Sequence, residues 1–288
     1  MMITWVLEKN IFDNEQALFS LILDKGHKVI FKEYYPFDDK GNAVFFFDDT
    51  TCGVFRGSLN LARYLKNMCK LYPGVIYEND NYNCSTYFNH FGKFCLNARE
   101  YMIIPIGDLE RQLPFLFSKL ATYSDAIFVR PDSGNKQFTG QLIRRSTVES
   151  DLKQIKFYDP DDNELVVVSK AFSNIVAEYR FVIIGDEIIT GCQYNYKGKH
   201  DERKLDSDNI SDVNAKKMAS HILSNTTWRP DDVFIMDICK TRNKLYHMLE
   251  INCFSCAGLY ACDMNIIIDS VSKLAEAKYK AYMADIEI

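Results

Sequence analysis

The stretch "LYHMLEINCFSCAGLYACD", Leu245 to Asp263, is a strand-like run with Glu250 and Asn252 near its end, followed by a C-x2-C pair (Cys253 and Cys256) and a glycine. Half of a zinc knuckle, the end of a buried strand and a hard-metal site all compete for it. A structural zinc site needs four ligands, usually as two such cysteine pairs. The nearby additions are Cys239, Cys262 and His247, at no standard spacing, and strand alternation points His247 to the face opposite Glu250. Small packing residues after a strand account for the cysteines more simply.

The upstream strand gives the run its meaning. Asp237 interrupts the apolar Val233-Phe234-Ile235-Met236, and "TRN" separates this strand from the next. With residues 241–244 as the turn, Asp237 lies opposite Met248, and Glu250 and Asn252 follow on the same face. A slip of two residues places Asp237 directly opposite Glu250. Either register gathers two carboxylates and one amide oxygen. Buried like charges are costly unless a cation or donors compensate them. Such hard oxygen ligands suit Mg²⁺ or Mn²⁺ with phosphate oxygens completing the shell. The alternative is three polar residues at strand ends facing solvent.

The chain has 288 residues, 34 Lys plus Arg against 39 Asp plus Glu and a net charge of -5. An acidic chain without a basic run is not expected to be a general nucleic-acid binder. The first ten residues lack the basic start and apolar stretch of a signal peptide, and no apolar run approaches the roughly 18 residues that span a membrane. Nine scattered cysteines then predict reduced thiols in a cytoplasmic protein.

Strand and helix patterns alternate over the first 95 residues and predict an α/β lobe with a mostly parallel sheet, "NAVFFFDD" and "GVIYEND" being two of its strands. A second unit is expected from near Arg99. In it "DAIFVRPD" reads as a strand and Ser146-Thr147-Val148-Glu149 as a capping box. "AEYRFVIIGDEIITGCQYNY" reads as two strands joined at Gly185-Asp186, "KGKHDERKLDSDN" as a mobile charged loop, and "SDVNAKKMASHILSN" as a helix capped by Ser211 or Asp212.

Two further stretches carry chemistry. In "DAIFVRPDSGNKQFTGQLI" a strand delivers Arg130, and a Ser-Gly-Asn-Lys turn follows. Cations with exposed backbone N–H groups on a glycine loop suit phosphate, although the spacing is neither a P-loop nor G-x-G-x-x-G. A plain hairpin loop is the alternative. In "VVVSKAFSNIVAEYRFVIIG" a strand ends at Ser169-Lys170 and the next carries Glu178 and Arg180, whose simplest role is a surface ion pair.

Taken in order, the cation with its glycine loop, the Glu-x-Arg strand, then Asp and Glu-x-Asn resemble the ATP-grasp superfamily of carboxylate–amine ligases. The sequence is most similar to the clade met mainly in phages and bacteria, in which arginine replaces the usual strand lysine. The motifs cover about residues 96 to 288; the N-terminal lobe matches the preceding pre-ATP-grasp domain by position and pattern only. The resemblance implies an α/β and α+β architecture, with domains 1–95 and 96–288, the latter divided into a nucleotide-binding part (about 120–195) and a metal-binding part (about 196–288).

It also implies roles. Arg130 would contact the α/β phosphates, and Ser133, Gly134 and Lys136 would belong to the flexible loop over them. Ser169 and Lys170 would meet the adenine and Glu178 the ribose. Asp237, Glu250 and Asn252 would hold Mg²⁺ or Mn²⁺, and Arg180 would meet the γ-phosphate or the acylphosphate; Arg130 and Arg180 are the catalytic candidates. "SCAGLY" resembles the small-residue turn that follows E-x-N in this superfamily. Arginine at 130 keeps the charge and widens the donor fork, and the hinge shows no acidic partner for adenine.

The function implied is ATP-dependent amide or peptide bond formation through an acylphosphate, with ADP and phosphate released. The partners would be ATP, a carboxylate and an amine, including a peptide or protein acceptor, in the cytoplasm (of the host cell, for a viral protein). Lys197, Lys199, His200 and Arg203 are candidates to fold over the site. The rival readings are a nucleotide-binding module without turnover, and a nucleotidyltransferase or nucleic-acid ligase, for which the expected K-x-D-G is absent.

Overall fold

Short strands rich in Val, Ile and Phe alternate with amphipathic helices at the start of the chain, and they pair as parallel strands. The computed structural model describes residues 1–286 except 69, 99, 123 and 136. Cys69 and Arg99, the latter marking the expected start of the second unit, lie outside the described residues. Strands β1 (Thr4–Glu8), β2 (Lys28–Lys32), β3 (Thr51–Arg56) and β4 (Leu71–Gly74) form a parallel sheet in the order β2-β1-β3-β4. Helix α1 (Glu15–Asp24) connects the first two strands and α3 (Leu59–Met68) the last two. "NAVFFFDD" is not a strand: it folds as the short helix α2 (Asp39–Asn42) and a 3-10 turn that buries Phe45. The third strand is instead "TCGVFR", where Gly53 packs its backbone against Thr4 and Leu71 too tightly for a side chain. "GVIYEND" contributes only its glycine to β4; Ile76 and Tyr77 are buried outside any strand.

After helix α4 (Cys84–Phe91) come two antiparallel sheets. Strands β5 (Tyr101–Pro105), β6 (Ala126–Pro131), β7 (Gln141–Arg144) and β8 (Leu165–Lys170) pair in the order β5-β8-β6-β7, with α5 (Leu109–Leu120) and α6 (Val148–Lys156) packed on them. The expected capping box does not cap α6: Thr147 instead donates to Asp151, which also accepts from the Arg144 N–H. The larger sheet has the order β11-β10-β9-β12-β13, from β9 (Ile175–Ile184), β10 (Glu187–Tyr196), β11 (Lys199–Lys204), β12 (Val233–Thr241) and β13 (Tyr246–Cys253). The charged "KGKHDERK" segment is thus an edge strand, turned back by Lys197 and Gly198 at φ 52° and 73°, rather than a free loop. Helix α7 (Ile210–Ser224) is capped by Asn209, whose side chain accepts from the Ser211 N–H, and not by Ser211 or Asp212.

Both faces of the larger sheet are covered, which explains its nearly continuous apolar strands. One face carries Tyr179, Phe181, Phe234, Met236 and Ile238 against α7 and α4. The other places Val182, Val233 and Ile235 beneath the closing helix α8 (Met264–Ile286), which also packs on Trp5 and Val54 of the first sheet. The rest of that second face is polar. Among the described residues no helix is long and apolar enough to cross a membrane.

Candidate active site

Arg180 and Asp237 sit directly opposite each other on β9 and β12, and Asp237 sits opposite Glu250 on β13. The hairpin turn alone would not produce this. Near the turn Cys239 faces His247 and Ile238 faces Met248, and continuing that register would set Asp237 opposite Leu249 and turn Glu250 to the α7 face. A β-bulge between Asp237 and Ile238 absorbs one residue, so Glu250 comes opposite Asp237 and Asn252 opposite Ile235. Of the two registers weighed from sequence, the Asp237–Glu250 pairing is the one adopted. Met248 belongs to the other face, inside the α7 core. His247 shares the Asp237 face through its pairing with Cys239, contrary to strict alternation.

Asp237 is fully buried and its charge is matched. Arg180 grips it with two bonds, Nε to Oδ1 at 2.9 Å and Nη2 to Oδ2 at 2.7 Å, and spends Nη1 on the Gly258 carbonyl at 2.7 Å. Fork-to-carboxylate geometry of this kind is among the stronger polar contacts in proteins. Asn252 bridges the two acids, its Nδ2 donating to Asp237 and to Glu250 at 3.1 Å each. Glu250 receives Arg130 Nη2 at 2.9 Å, which ties β6 of the smaller sheet to β13 of the larger. Arg180 and Glu178 are therefore not a surface pair: Arg180 is buried in the site, and Glu178 accepts from the Tyr194 hydroxyl at 2.8 Å. Burial pushes the Glu178 carboxyl above its ordinary value; the Tyr194 bond opposes this, while Asp237 and Glu250 add to it.

Tyr194 and Tyr260, missed in the sequence reading, complete the surroundings. Their rings stack at 5.0 Å, and the Arg180 guanidinium carbon lies 5.2 and 4.6 Å from their centres. Tyr194 is itself a bulged residue of β10, between Gln193 and Asn195. No spacing rule would single it out, because a bulge leaves the alternation.

Ser133 and Gly134 lie in the β6–β7 connection, beside Arg130. Ser133 Oγ accepts from the Asn135 N–H, and the Gly134 N–H donates to Asn83 at 3.3 Å. A Cβ at Gly134 would stand 2.8 Å from that of Tyr82, so this loop is docked on the 77–83 segment. Lys136 lies outside the described residues. The buried Asp132 holds the start of α4 by accepting from Ser85 N and Oγ at 2.6 and 2.7 Å, which fixes the loop's other end.

Ser169 and Lys170 are the last residues of β8. They line a cavity of about 160 Å³ between the two antiparallel sheets, with Phe88, Phe128 and Val167, and with Leu249 and Arg130 on the side toward the acids. Lys170 is held by Glu100 at 3.2 Å. Of the basic candidates in the 197–203 segment, Arg203 is committed to Asp212 and Gln193 on the α7 side, while His200 meets the edge of Tyr260 at 5.7 Å. Cys253 and Cys256 are adjacent packing residues in the turn after β13; among the described residues no three His, Cys, Asp or Glu side chains cluster as metal ligands.

Acids, guanidinia, glycine loop and apolar cavity thus line one cleft. The sequence profile of an ATP-grasp domain, family 2 of the clade with arginine in place of the strand lysine, matches residues 113–270, more than half of the chain. The chain belongs to that family. The ATP-grasp fold extends over the whole chain in solved structures. D-cycloserine synthetase DcsG superposes with a TM-score of 0.59 over 95% of this chain and 99% of its own, at 12% identity. D-alanyl-alanine synthetase A from Vibrio cholerae O1 biovar eltor gives 0.56 over 88% of each chain at 12% identity. The ATP-grasp ligase PsnB, complexed with a phosphomimetic variant of minimal precursor, Mg and ADP, gives 0.53 over 96% and 98% at 11% identity. At such identities the likeness shows the fold. No curated protein matches the sequence. The family and fold expected from the order of motifs are borne out.

Proposed function

We infer that this chain is an ATP-dependent ligase that joins a carboxylate to an amine, releasing ADP and phosphate. Family membership supports the reaction class, and one observation carries it to these residues: Asp237, Glu250 and Asn252 share a sheet face with Arg130 and Arg180. Two carboxylates and an amide are a hard donor set that fits Mg²⁺, with Mn²⁺ served by the same oxygens. The PsnB neighbour carrying Mg and ADP supports that choice. When bound, the ion would neutralise phosphate charge during transfer.

The side chains then divide the remaining work. Arg130, at the mouth of the apolar cavity, is placed to hold α/β phosphates, with Ser133, Gly134 and Lys136 in the loop beside them. The cavity by Ser169 and Lys170 would take the adenine, and Glu178 the ribose hydroxyls. Arg180, made rigid by Asp237, Gly258 and two rings, would face the γ-phosphate and the acylphosphate. Position and fixed charge supply the rate in such transfers. The division into a lobe at 1–95 and a ligase part at 96–288, with subdomains at about 120–195 and 196–288, sets the nucleotide between β6–β9 and β12–β13. A cytoplasmic location is supported by the eight described cysteines, all free thiols.

Incubation with ATP, Mg²⁺ and pooled amino acids tests the reading. Release of ADP and phosphate with a product lighter by one water than its two substrates is expected. AMP with pyrophosphate would point to a nucleotidyltransferase, and the absence of either product to a binding module.

A further inference from the structure

Strand β10 is ten residues long, yet its outer neighbour β11 pairs only with Cys192–Tyr196. Among the described residues no strand pairs with Glu187–Gly191 on the side away from β9, so about 17 Å of edge, at 3.4 Å per residue, carries main-chain donors and acceptors without a ladder. This edge is not flush with the surface. It forms the floor of a groove of about 790 Å³, walled by α7 on one side and by the approach to α8 on the other. Ile188 to Gly191 are only half exposed there. Natural sheets usually blunt a long free edge by covering it or charging it; this one is left open between two helices.

The rim is charged asymmetrically. Asp212 is taken by Arg203 and Asp263 by Lys204, which leaves the exposed Lys216 and Lys217 of α7 against Asp206. A free edge asks for an extended main chain, and the surplus of lysine asks for carboxylates on it.

We propose that the β10–α7 groove docks an extended acidic polypeptide segment, which adds to the free edge of β10 as a sixth strand of the larger sheet. The groove is separate from the Asp237–Glu250 face, and the proposal goes beyond the ligase reading without depending on it.

The probe is a fluorescein-labelled ten-residue peptide of alternating glutamate and valine, titrated into the full chain and followed by anisotropy and amide hydrogen exchange. Saturable binding is expected, with slowed exchange at Ile188–Gly191. At least about tenfold weaker binding is expected for a lysine–valine peptide, for the acidic peptide methylated on alternate backbone nitrogens, and for the surface double variant Lys216→Glu/Lys217→Glu. Absence of binding, indifference to backbone methylation, or protection elsewhere would overturn the proposal. So would concentration-dependent protection of the same edge without peptide, which would assign it to a second copy of this chain.

Discussion

Arg180 shows how much of the site depends on neighbours far away in sequence. Its carboxylate partner lies 57 residues on and its carbonyl partner 78 residues on, both in contact with a guanidinium that burial would otherwise penalise. The Glu-x-Arg and Glu-x-Asn spacings are legible in the chain, and so is the oddity of Asp237 in an apolar strand. That Arg180 belongs with Asp237, and not with Glu178 in a surface pair, is decided by strand pairing that the local pattern does not contain. Removing one partner of a buried pair leaves the other charge uncompensated. Arg180→Met is therefore expected to destabilise the protein by about 3–5 kcal/mol in urea unfolding, in addition to ending turnover. A loss below about 1 kcal/mol would mean that Asp237 finds other compensation.

Among the elements, bulges matter more than regular strands. The one beside Leu249 lets Met248 face the core while Glu250 faces the cleft, although two residues apart they would ordinarily share a side. The bulge at Tyr194 brings a hydroxyl onto Glu178. Period-two reasoning finds the strands and their polar residues; it cannot see an inserted residue, which is why His247 and Met248 fall on unexpected faces. Leu249 lines the cavity between the sheets. Leu249→Ala is expected to weaken binding of a non-hydrolysable ATP analogue about 5- to 20-fold, from the lost apolar contact, with the fold retained. Calorimetric titration reads this directly, and an unchanged affinity would remove the cavity from the nucleotide site.

At the scale of the molecule, the junctions between sheets hold most of the buried polar groups. Arg56, at the end of β3, sends Nη1 to the Phe254 carbonyl and Nη2 to the Ala257 carbonyl, fastening the first sheet to the turn behind Asn252. Arg56→Met should cost about 2–4 kcal/mol and raise the requirement for substrate more than that for ATP, as kinetics with each varied would show. Asp231 performs a similar office for the 78–82 segment, accepting through Oδ2 from the Glu78 N–H and the Tyr82 hydroxyl. Burial pushes its carboxyl up to about 6. A carboxyl that holds its proton more tightly when folded contributes stability that is complete below its ordinary value near 4 and is lost as pH rises through about 6. Asp231→Asn keeps an acceptor for both bonds, so it should be more stable than the parent at pH 8, by about 1–2 kcal/mol after solvent screening, and no more stable at pH 3.5. The alternation of strand and helix made the parallel lobe legible, but not which apolar run is its third strand. "FFF" has a stronger β pattern than "TCGVFR", and only the close approach of Gly53 to Thr4 and Leu71 favours the latter.

These scales meet at the carboxylate that Arg130, Asn252 and the bulge all serve. The decisive measurement is ADP formation from ATP as Mg²⁺ is titrated, with pooled acid and amine substrates, for the parent chain and for Glu250→Gln. A saturable Mg²⁺ dependence in the parent and a loss of about 1,000-fold or more in the variant at every Mg²⁺ concentration are predicted. Full activity of Glu250→Gln, or ADP formation indifferent to the ion, would contradict the account.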